Sequence, residues 1–120
     1  TLEVLAAAGV RFAVVAPRQI DSVQPPDAKG WIPAHAATGL ARRAYRVDLP
    51  SGNRIAVLPY DGALARAVAF EGALHDGEGL GHRLAALAEA EPHGLIHLAT
   101  DGESYGHHHP YGEMALARAF

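Results

Sequence analysis

Apolar positions recur at helical spacing in four parts of the chain. Near the start, an apolar stripe precedes Gly9, where a helix would end. Residues 63–74 and 80–90 carry two further stripes, separated by the helix-breaking sequence HDGEGLG, and GEMALARAF predicts a last helix. The predicted buried faces of the first three helices consist of Leu2, Leu5, Ala6, Leu64, Ala67, Val68, Leu74, Leu80, Leu84, Leu87 and Ala88.

Shorter apolar runs predict four strands. Residues 11–16 form the first, and residues 44–49 and 54–59 flank the turn sequence PSGN, which favours a β-hairpin. The sequence GLIHLAT, residues 94–100, predicts the last strand. Residues 18–43 have no sustained period and predict a long irregular connection, of a kind that is often functional. This order of helices and strands predicts an α/β fold with a largely parallel sheet.

Composition narrows the classes of function. The 120 residues are 49% hydrophobic and 19% charged, which is ordinary for a folded protein and argues against disorder. The net charge of −3 argues against nucleic-acid binding, which needs a basic face. There is no cysteine, so disulfides and thiolate metal sites are excluded. We find no apolar run long enough for a membrane span and no secretory signal, and we expect a cytoplasmic protein without membrane contact.

Both ends of the sequence fall within predicted helices. The first helix has only about eight residues, too few to be stable alone, and no initiator Met precedes it. GEMALARAF reads as a helix that has just begun when the chain stops. We therefore expect residues 1–120 to be a fragment of one domain that is truncated at both ends.

Polar side chains follow the predicted strands at the point where each strand ends. Arg18 and Gln19 follow the first strand, Tyr60 and Asp61 follow the second strand of the hairpin, and DGESYGHHH follows the last. In parallel α/β folds, functional side chains gather at the carboxyl ends of the strands because the loops there face one crevice. We therefore expect these groups to share one rim.

Asp101 is the strongest candidate for chemistry. It directly follows a predicted strand and precedes a glycine that frees the backbone to turn, so its carboxylate can point into a cleft. Partial enclosure by apolar neighbours would let such an acid donate a proton near neutral pH. The alternative is an Asp that caps its own turn. The nearby Glu103, Tyr105 and three histidines keep both interpretations open.

The three consecutive histidines, His107 to His109, allow three interpretations. In an extended segment, His107 and His109 would share one side while His108 points away. Two imidazoles and a carboxylate would suit zinc, although metal sites usually space their ligands more widely. Hydrogen bonding to substrate hydroxyls is the second interpretation, and a solvated loop is the third. We favour substrate contact over the solvated loop, and both over a metal; we expect neither a metal nor another cofactor.

For the other notable side chains, we expect structural or surface positions. His97 lies in a predicted strand and should be half-buried with its hydrogen bonds satisfied. Trp31 is either a sugar-stacking platform or the apolar plug of the long loop, and we favour the plug. Glu71 should be solvated on a helix surface. A surface position is also expected for His35, His75, His82 and His93.

With these residues identified, the chain resembles the family-57 glycoside hydrolases, in the branch that carries a domain of unknown function (number 3536). ATDGESYGHHHPYGEMAL, residues 99–116, resembles the fourth conserved region of that family, of the form Asp-x-Glu-x-aromatic-Gly-His. RFAVVAPRQ and LPYDGALARAVAFEG are similar to stretches of the same branch. The resemblance covers nearly the whole chain and is weakest over residues 24–43.

The resemblance implies a retaining enzyme that acts on α-glucans and folds as an incomplete TIM-like (β/α)7 barrel, here with a β-hairpin insertion. Asp101 corresponds to the general acid/base. The nucleophile is a glutamate in a motif that would precede Thr1, so the isolated fragment should be inactive without the remainder of the barrel. The expected contacts to an α-glucan or oligosaccharide are Glu103, Tyr105, His107, His108, His109, Arg18, Gln19, Tyr60 and Asp61.

Two other classes of function stay open. A metal-dependent polysaccharide hydrolase, such as a deacetylase, would also place an Asp and His at strand ends. A carbohydrate-binding or regulatory module would keep the fold and bind glucan without turnover. Stoichiometric zinc bound through His107 or His109 would favour the first class, and glucan binding without hydrolysis would favour the second.

Overall fold

Four α-helices and five short strands form a mixed α/β structure in the computed structural model, which describes all residues from 1 to 120. The chain divides into two compact units, Thr1–Tyr60 and Asp61–Phe120. All five strands belong to the first unit, and three of the four helices belong to the second. None of the helices combines the length and the apolar character needed to cross a membrane.

The first unit is built around a small mixed sheet. Its elements are α1 (Leu2–Ala7), β1 (Phe12–Val15), β2 (Ser22–Val23), β3 (Ile32–Pro33), β4 (Tyr45–Asp48) and β5 (Arg54–Pro59). Strand β5 lies in the centre, parallel to β1 and antiparallel to β4. Strands β2 and β3 form a separate two-residue ladder within the long connection. The predicted irregular connection is otherwise correct, since three short 3-10 turns account for its remaining regular structure.

The hairpin between β4 and β5 forms where PSGN predicted it. Its turn is closed by the amide of Leu49, which donates to the carbonyl of Asn53 at 2.9 Å. Gly52 takes a φ of +84°, which a residue with a side chain rarely adopts. The carboxylate of Glu3 accepts from both the amide and the hydroxyl of Ser51, at 3.1 and 2.6 Å, so α1 is tied to the turn.

The two faces of the sheet differ in burial. Ile55, Val57 and Pro59 alternate along β5 and are buried on one face, which forms the core of this unit. Phe12 pairs with Ala56 in register, so its side chain belongs to the other face, where it is 58% exposed. Strand β5 therefore alternates between buried and less buried positions, as expected for a strand with one face on the core.

Tyr45 gives the first unit a pH dependence. Burial raises the pKa of its phenol above the ordinary value of 10.0, and the nearby Arg43 guanidinium lowers it by a smaller amount. The folded state thus binds this proton more tightly than the unfolded chain does. The corresponding stability is fully present below pH 10 and is lost as the pH rises through the folded pKa.

We therefore expect the free energy of unfolding to fall above about pH 10, and to fall less steeply in Tyr45→Phe. Urea denaturation of both proteins between pH 8 and 11 measures the two slopes, with each curve normalised to its own value at pH 8. Identical normalised slopes would show that Tyr45 does not contribute to the alkaline loss.

The second unit packs three helices around one apolar cluster. Its elements are α2 (Gly62–Phe70), α3 (Gly77–Ala90) and α4 (Gly112–Ala119). The cluster centres on four side chains that are at most 4% exposed: Leu64, Val68, Leu74 and Leu80. Around it lie Ala73, Leu84, Leu87, Ile96, Leu98, Tyr105, Ala115 and Ala119. The predicted buried stripes of α2 and α3 are confirmed except for Ala88, which is exposed.

Aspartates begin two of these helices. The carboxylate of Asp61 accepts from the amide of Leu64 at 2.8 Å, and that of Asp76 accepts from the amide of Gly79 at 2.9 Å. Helix α2 ends at Phe70, earlier than predicted, because the chain turns at Gly72 with a φ of +75°. Helix α3 starts three residues before the predicted boundary, since the glycines of HDGEGLG are helical once Asp76 caps them.

The predicted last strand does not form. Residues 95–100 have no regular secondary structure, and the second unit contains no strand with which they could pair. The carbonyl of His97 accepts from the amide of Asp61 at 3.2 Å. Ile96 and Leu98 pack against the helical cluster instead. The apolar run therefore reflects packing against helices rather than a place in a ladder.

Candidate functional site

The polar cluster begins with a short 3-10 turn, Gly102–Ser104, that Asp101 precedes. The carbonyl of Asp101 accepts from the amide of Ser104 at 3.0 Å, which fixes the backbone of the turn. Its carboxylate is exposed and makes no capping hydrogen bond. The interpretation of Asp101 as a side-chain cap is therefore wrong, and so is the expected enclosure by apolar neighbours. The Asp101 carboxylate is therefore accessible and is not used to cap the turn.

The three histidines lie on a turn rather than on an extended segment. Residues 106–108 are closed by a bridge between Tyr105 and His109, in which the amide of Gly106 donates to the carbonyl of His109 at 3.1 Å. The amide of His108 also donates to the carbonyl of Glu103, at 2.9 Å. The predicted alternation of the histidine side chains is therefore wrong, because it assumed extended backbone.

The Glu103 carboxylate and the His108 imidazole lie in contact on the surface of this turn. The His108 Nε2 atom lies 3.2 Å from the Glu103 Oε2 atom, and the two side chains are 55% and 71% exposed. A pair this exposed contributes little to stability because water screens it. The ring of His107 stands edge-on to that of His108, with 5.0 Å between the ring centroids. Three polar side chains are therefore close together and accessible.

His109 and Tyr105 face inward and hold the turn in place. The Nε2 atom of His109 lies 3.0 Å from the carbonyl oxygen of Ala69, so this nitrogen carries the hydrogen and donates it. Its ring also meets that of His75 edge-on, at 5.8 Å. The hydroxyl of Thr100 donates to that of Tyr105 at 3.1 Å. Both side chains are half-buried, and these contacts position the histidine turn.

Two of the three expected strand ends share one edge of the sheet. Strands β1 and β5 are parallel, and their last residues, Val15 and Pro59, are paired in register. Gln19 already has a structural partner, because its side-chain oxygen accepts from the amide of Ala16 at 2.7 Å. Arg18 is exposed, and Tyr60 is half-buried. The third expected strand end does not form, since residues 95–100 are not a strand.

Asp61 belongs to the second unit, where its carboxylate caps α2. This capping bond is a structural use that the sequence analysis did not assign to it. The residue is half-buried, and its amide donates to the carbonyl of His97. Asp61 therefore differs from Asp101, whose carboxylate does not cap a helix or a turn.

Other expectations for single residues are partly corrected. Trp31 is 71% exposed, so the interpretation as a loop plug is wrong. His97 is half-buried as predicted, but its Nε2 atom is buried without a hydrogen-bond partner. Glu71 is exposed as predicted and forms an ion pair with Arg66 at 2.7 Å. Surface positions are confirmed for His35, His75, His82 and His93.

Tyr111 also belongs to this segment, although it was not among the predicted site residues. It has a φ of +64°, the one positive φ among the non-glycine residues, and its side chain is 73% exposed. The signal was present in the sequence HPYG, because a proline at the second position of a turn often precedes a residue with positive φ.

The arrangement offers proton transfer and hydrogen bonding rather than metal chemistry. No group of three or more His, Cys, Asp or Glu side chains is placed to hold a metal ion. One accessible carboxylate, one Glu–His pair and one further imidazole lie within nine residues of sequence. Such groups can exchange a proton with a bound molecule and hydrogen-bond to hydroxyls.

Comparisons with known proteins do not extend this description. No protein-family model, no curated protein and no solved structure matches the chain. The choice among functions therefore depends on the side chains described above.

Proposed function

We propose that this chain carries the general acid/base of a retaining α-glucan hydrolase or transglycosidase, and that Asp101 is that residue. The observation that supports the proposal best is the accessible Asp101 carboxylate, which does not cap its own turn. It opens a segment in which Glu103, Tyr105 and His107 follow at the spacing of the family-57 motif that the sequence resembles. An acid that protonates a glycosidic oxygen must be reachable by the substrate, and the Asp101 side chain is accessible.

In the proposed mechanism, Asp101 first gives its proton to the departing glycosidic oxygen. It then acts as a base and takes a proton from the water or sugar hydroxyl that attacks the covalent intermediate. The exposed Glu103–His108 pair and His107 are available to hydrogen-bond to sugar hydroxyls. Tyr105 and His109 would hold the loop that carries them. The substrate contacts predicted for Arg18, Gln19, Tyr60, Asp61, Tyr105 and His109 stay predictions.

The proposal requires a second carboxylate. Retaining glycosidases place their two carboxyl groups about 5–5.5 Å apart, one as nucleophile and one as acid/base. The resemblance assigns the nucleophile to a glutamate N-terminal to Thr1, within the same (β/α)7 barrel. We propose that this remainder of the barrel and the bound sugar supply the enclosure that favours protonated Asp101, because the side chain is exposed here.

Stereochemistry tests this proposal directly. The full-length protein should cleave or transfer maltoheptaose with retention of the α configuration, which proton NMR of the first-formed anomer measures before mutarotation. The isolated 120-residue chain should give no turnover, because it lacks the nucleophile. Inversion at the anomeric carbon, or no turnover by the full-length protein, would contradict the mechanism. Turnover by the isolated chain would contradict the assignment of the nucleophile to another segment.

A carbohydrate-binding module without catalysis is the second candidate function. The exposure of Asp101 favours it, since a catalytic acid usually lies in a partly enclosed cleft. The two candidates differ in one measurement. Glucan binding by the full-length protein, together with no bond cleavage over long incubation, would establish the binding module.

A further inference from the structure

Tyr111 lies at a strained position of a tight turn. The amide of Gly112 donates to the carbonyl of His109 at 2.9 Å, so residues 109–112 form a hydrogen-bonded β-turn. Pro110 occupies the second position, where its ring fixes φ at about −65°. With a φ of +64° and a ψ of 15° at Tyr111, the turn is of type II, whose third position strongly prefers glycine.

The glycine of this turn is at the neighbouring position, where packing requires it. A β-carbon on Gly112 would lie 3.1 Å from the Cδ1 atom of Leu74 and 3.2 Å from the carbonyl oxygen of Ser104. Gly112 therefore allows α4 to approach the rest of the second unit closely. No such contact explains Tyr111, since its ring is 73% exposed. Strain that packing does not explain is often kept for function.

The exposed ring lines a groove in the second unit. The groove is shallow and open to solvent, with a volume of about 740 Å³. Met114, which is 63% exposed, and His75 lie along it with Tyr111. Arg118 also lines it, and the Glu78 carboxylate lies 3.4 Å from the Arg118 guanidinium. The lining thus joins an aromatic ring and a thioether to Arg118, and the neighbouring Glu78 outside the lining balances the charge of that guanidinium.

We propose that Tyr111 is a stacking platform for a pyranose ring of a neutral oligosaccharide. A pyranose presents an apolar face of C–H groups, which fits the exposed aromatic ring, and a rim of hydroxyls, which the His75 imidazole and the Arg118 guanidinium can meet. Balanced charge along the groove suits a neutral ligand better than an ionic one. The choice of an α-glucan as this ligand rests on the proposed function.

Three substitutions of Tyr111 separate the effect of its aromatic ring from the effect of its strained backbone. Tyr111→Phe keeps both, Tyr111→Ala removes the ring and keeps the strained φ, and Tyr111→Gly removes both. Calorimetry with maltoheptaose and the full-length protein, each variant combined with Asp101→Asn so that the sugar is not consumed, should give binding at least about tenfold weaker for the Ala and Gly variants. The Phe variant should bind within about threefold of the unchanged protein. The melting temperature of the Gly variant should exceed that of the Ala variant by about 2–4 °C.

Phe70→Ala is the matched control, because Phe70 is an 84% exposed aromatic residue of the same unit that does not line the groove. It should leave maltoheptaose affinity unchanged. Unchanged affinity in both Tyr111→Ala and Tyr111→Gly would overturn the proposal, as would a full-length protein that binds no maltoheptaose. A protein that binds through Tyr111 but never cleaves would support this inference and contradict the catalytic proposal. Glucan cleavage with an unaltered KM in Tyr111→Gly would support the catalytic proposal and contradict this inference.

Discussion

Replacing Asp101 with Asn should lower glucan turnover by the full-length protein about 10²–10⁴-fold, the usual contribution of a positioned general acid. Asparagine has nearly the same shape as aspartate but no proton to give to the departing oxygen. The substitution should not disturb the fold, because the carboxylate is exposed and makes no capping hydrogen bond. We therefore expect the free energy of unfolding to change by less than about 0.5 kcal/mol.

The leaving group provides a sharper version of this test. In a dinitrophenyl glycoside the leaving group is already acidic, so it departs without being protonated. Its intermediate should therefore form in Asp101→Asn nearly as fast as in the unchanged protein, while natural glucan is cleaved slowly. A merely structural role for Asp101 would slow both substrates equally.

Asp76→Asn is a suitable control for the same assay. Asp76 is an exposed acid of the same unit, its role is to cap α3, and asparagine is an equally good cap. Turnover and stability should both stay near those of the unchanged protein. Full glucan turnover by Asp101→Asn would remove Asp101 from the proposed chemistry.

Local pattern predicted those elements whose stability depends on local interactions. The helical period identified Leu64 and Val68 as core residues, and PSGN identified the hairpin, because spacing and turn chemistry are properties of short segments. The strand predicted at residues 94–100 failed because a strand also requires a partner beside it, and the second unit has none. An apolar run of seven residues is equally suited to packing against helices.

The sequence predicted which residues form the candidate site, but it did not predict how their backbone and side chains are arranged. The sequence identified Asp101 and the histidines correctly as a polar cluster after an apolar run. It did not predict that residues 106–108 form a turn, nor that the Glu103 and His108 side chains meet, because both depend on contacts made by Tyr105 and His109. Trp31 illustrates the same limit, since burial of a single aromatic residue depends on what the rest of the fold places over it.

Helices α3 and α4 approach each other through residues without large side chains, and Gly77 is the closest point. A β-carbon at this position would lie 2.5 Å from the carbonyl oxygen of Ala115 and 2.9 Å from its Cα atom. Both atoms belong to the backbone of α4, so they cannot rotate away and the helices would have to separate. Separation would also loosen Leu80, which packs in the same cluster.

We therefore expect Gly77→Ala to lower the free energy of unfolding by about 1–3 kcal/mol, even though alanine gains up to about 1 kcal/mol of helix propensity over glycine. Gly62→Ala is the matched control, because a β-carbon there meets no atom within 4 Å, and it should be neutral or slightly stabilising. Gly81→Ala, with its nearest contact at 3.0 Å to the carbonyl oxygen of Ala119, should fall between the two. Urea denaturation of the three variants measures this order. Equal midpoints for Gly77→Ala and Gly62→Ala would mean that the two helices do not meet this closely in solution.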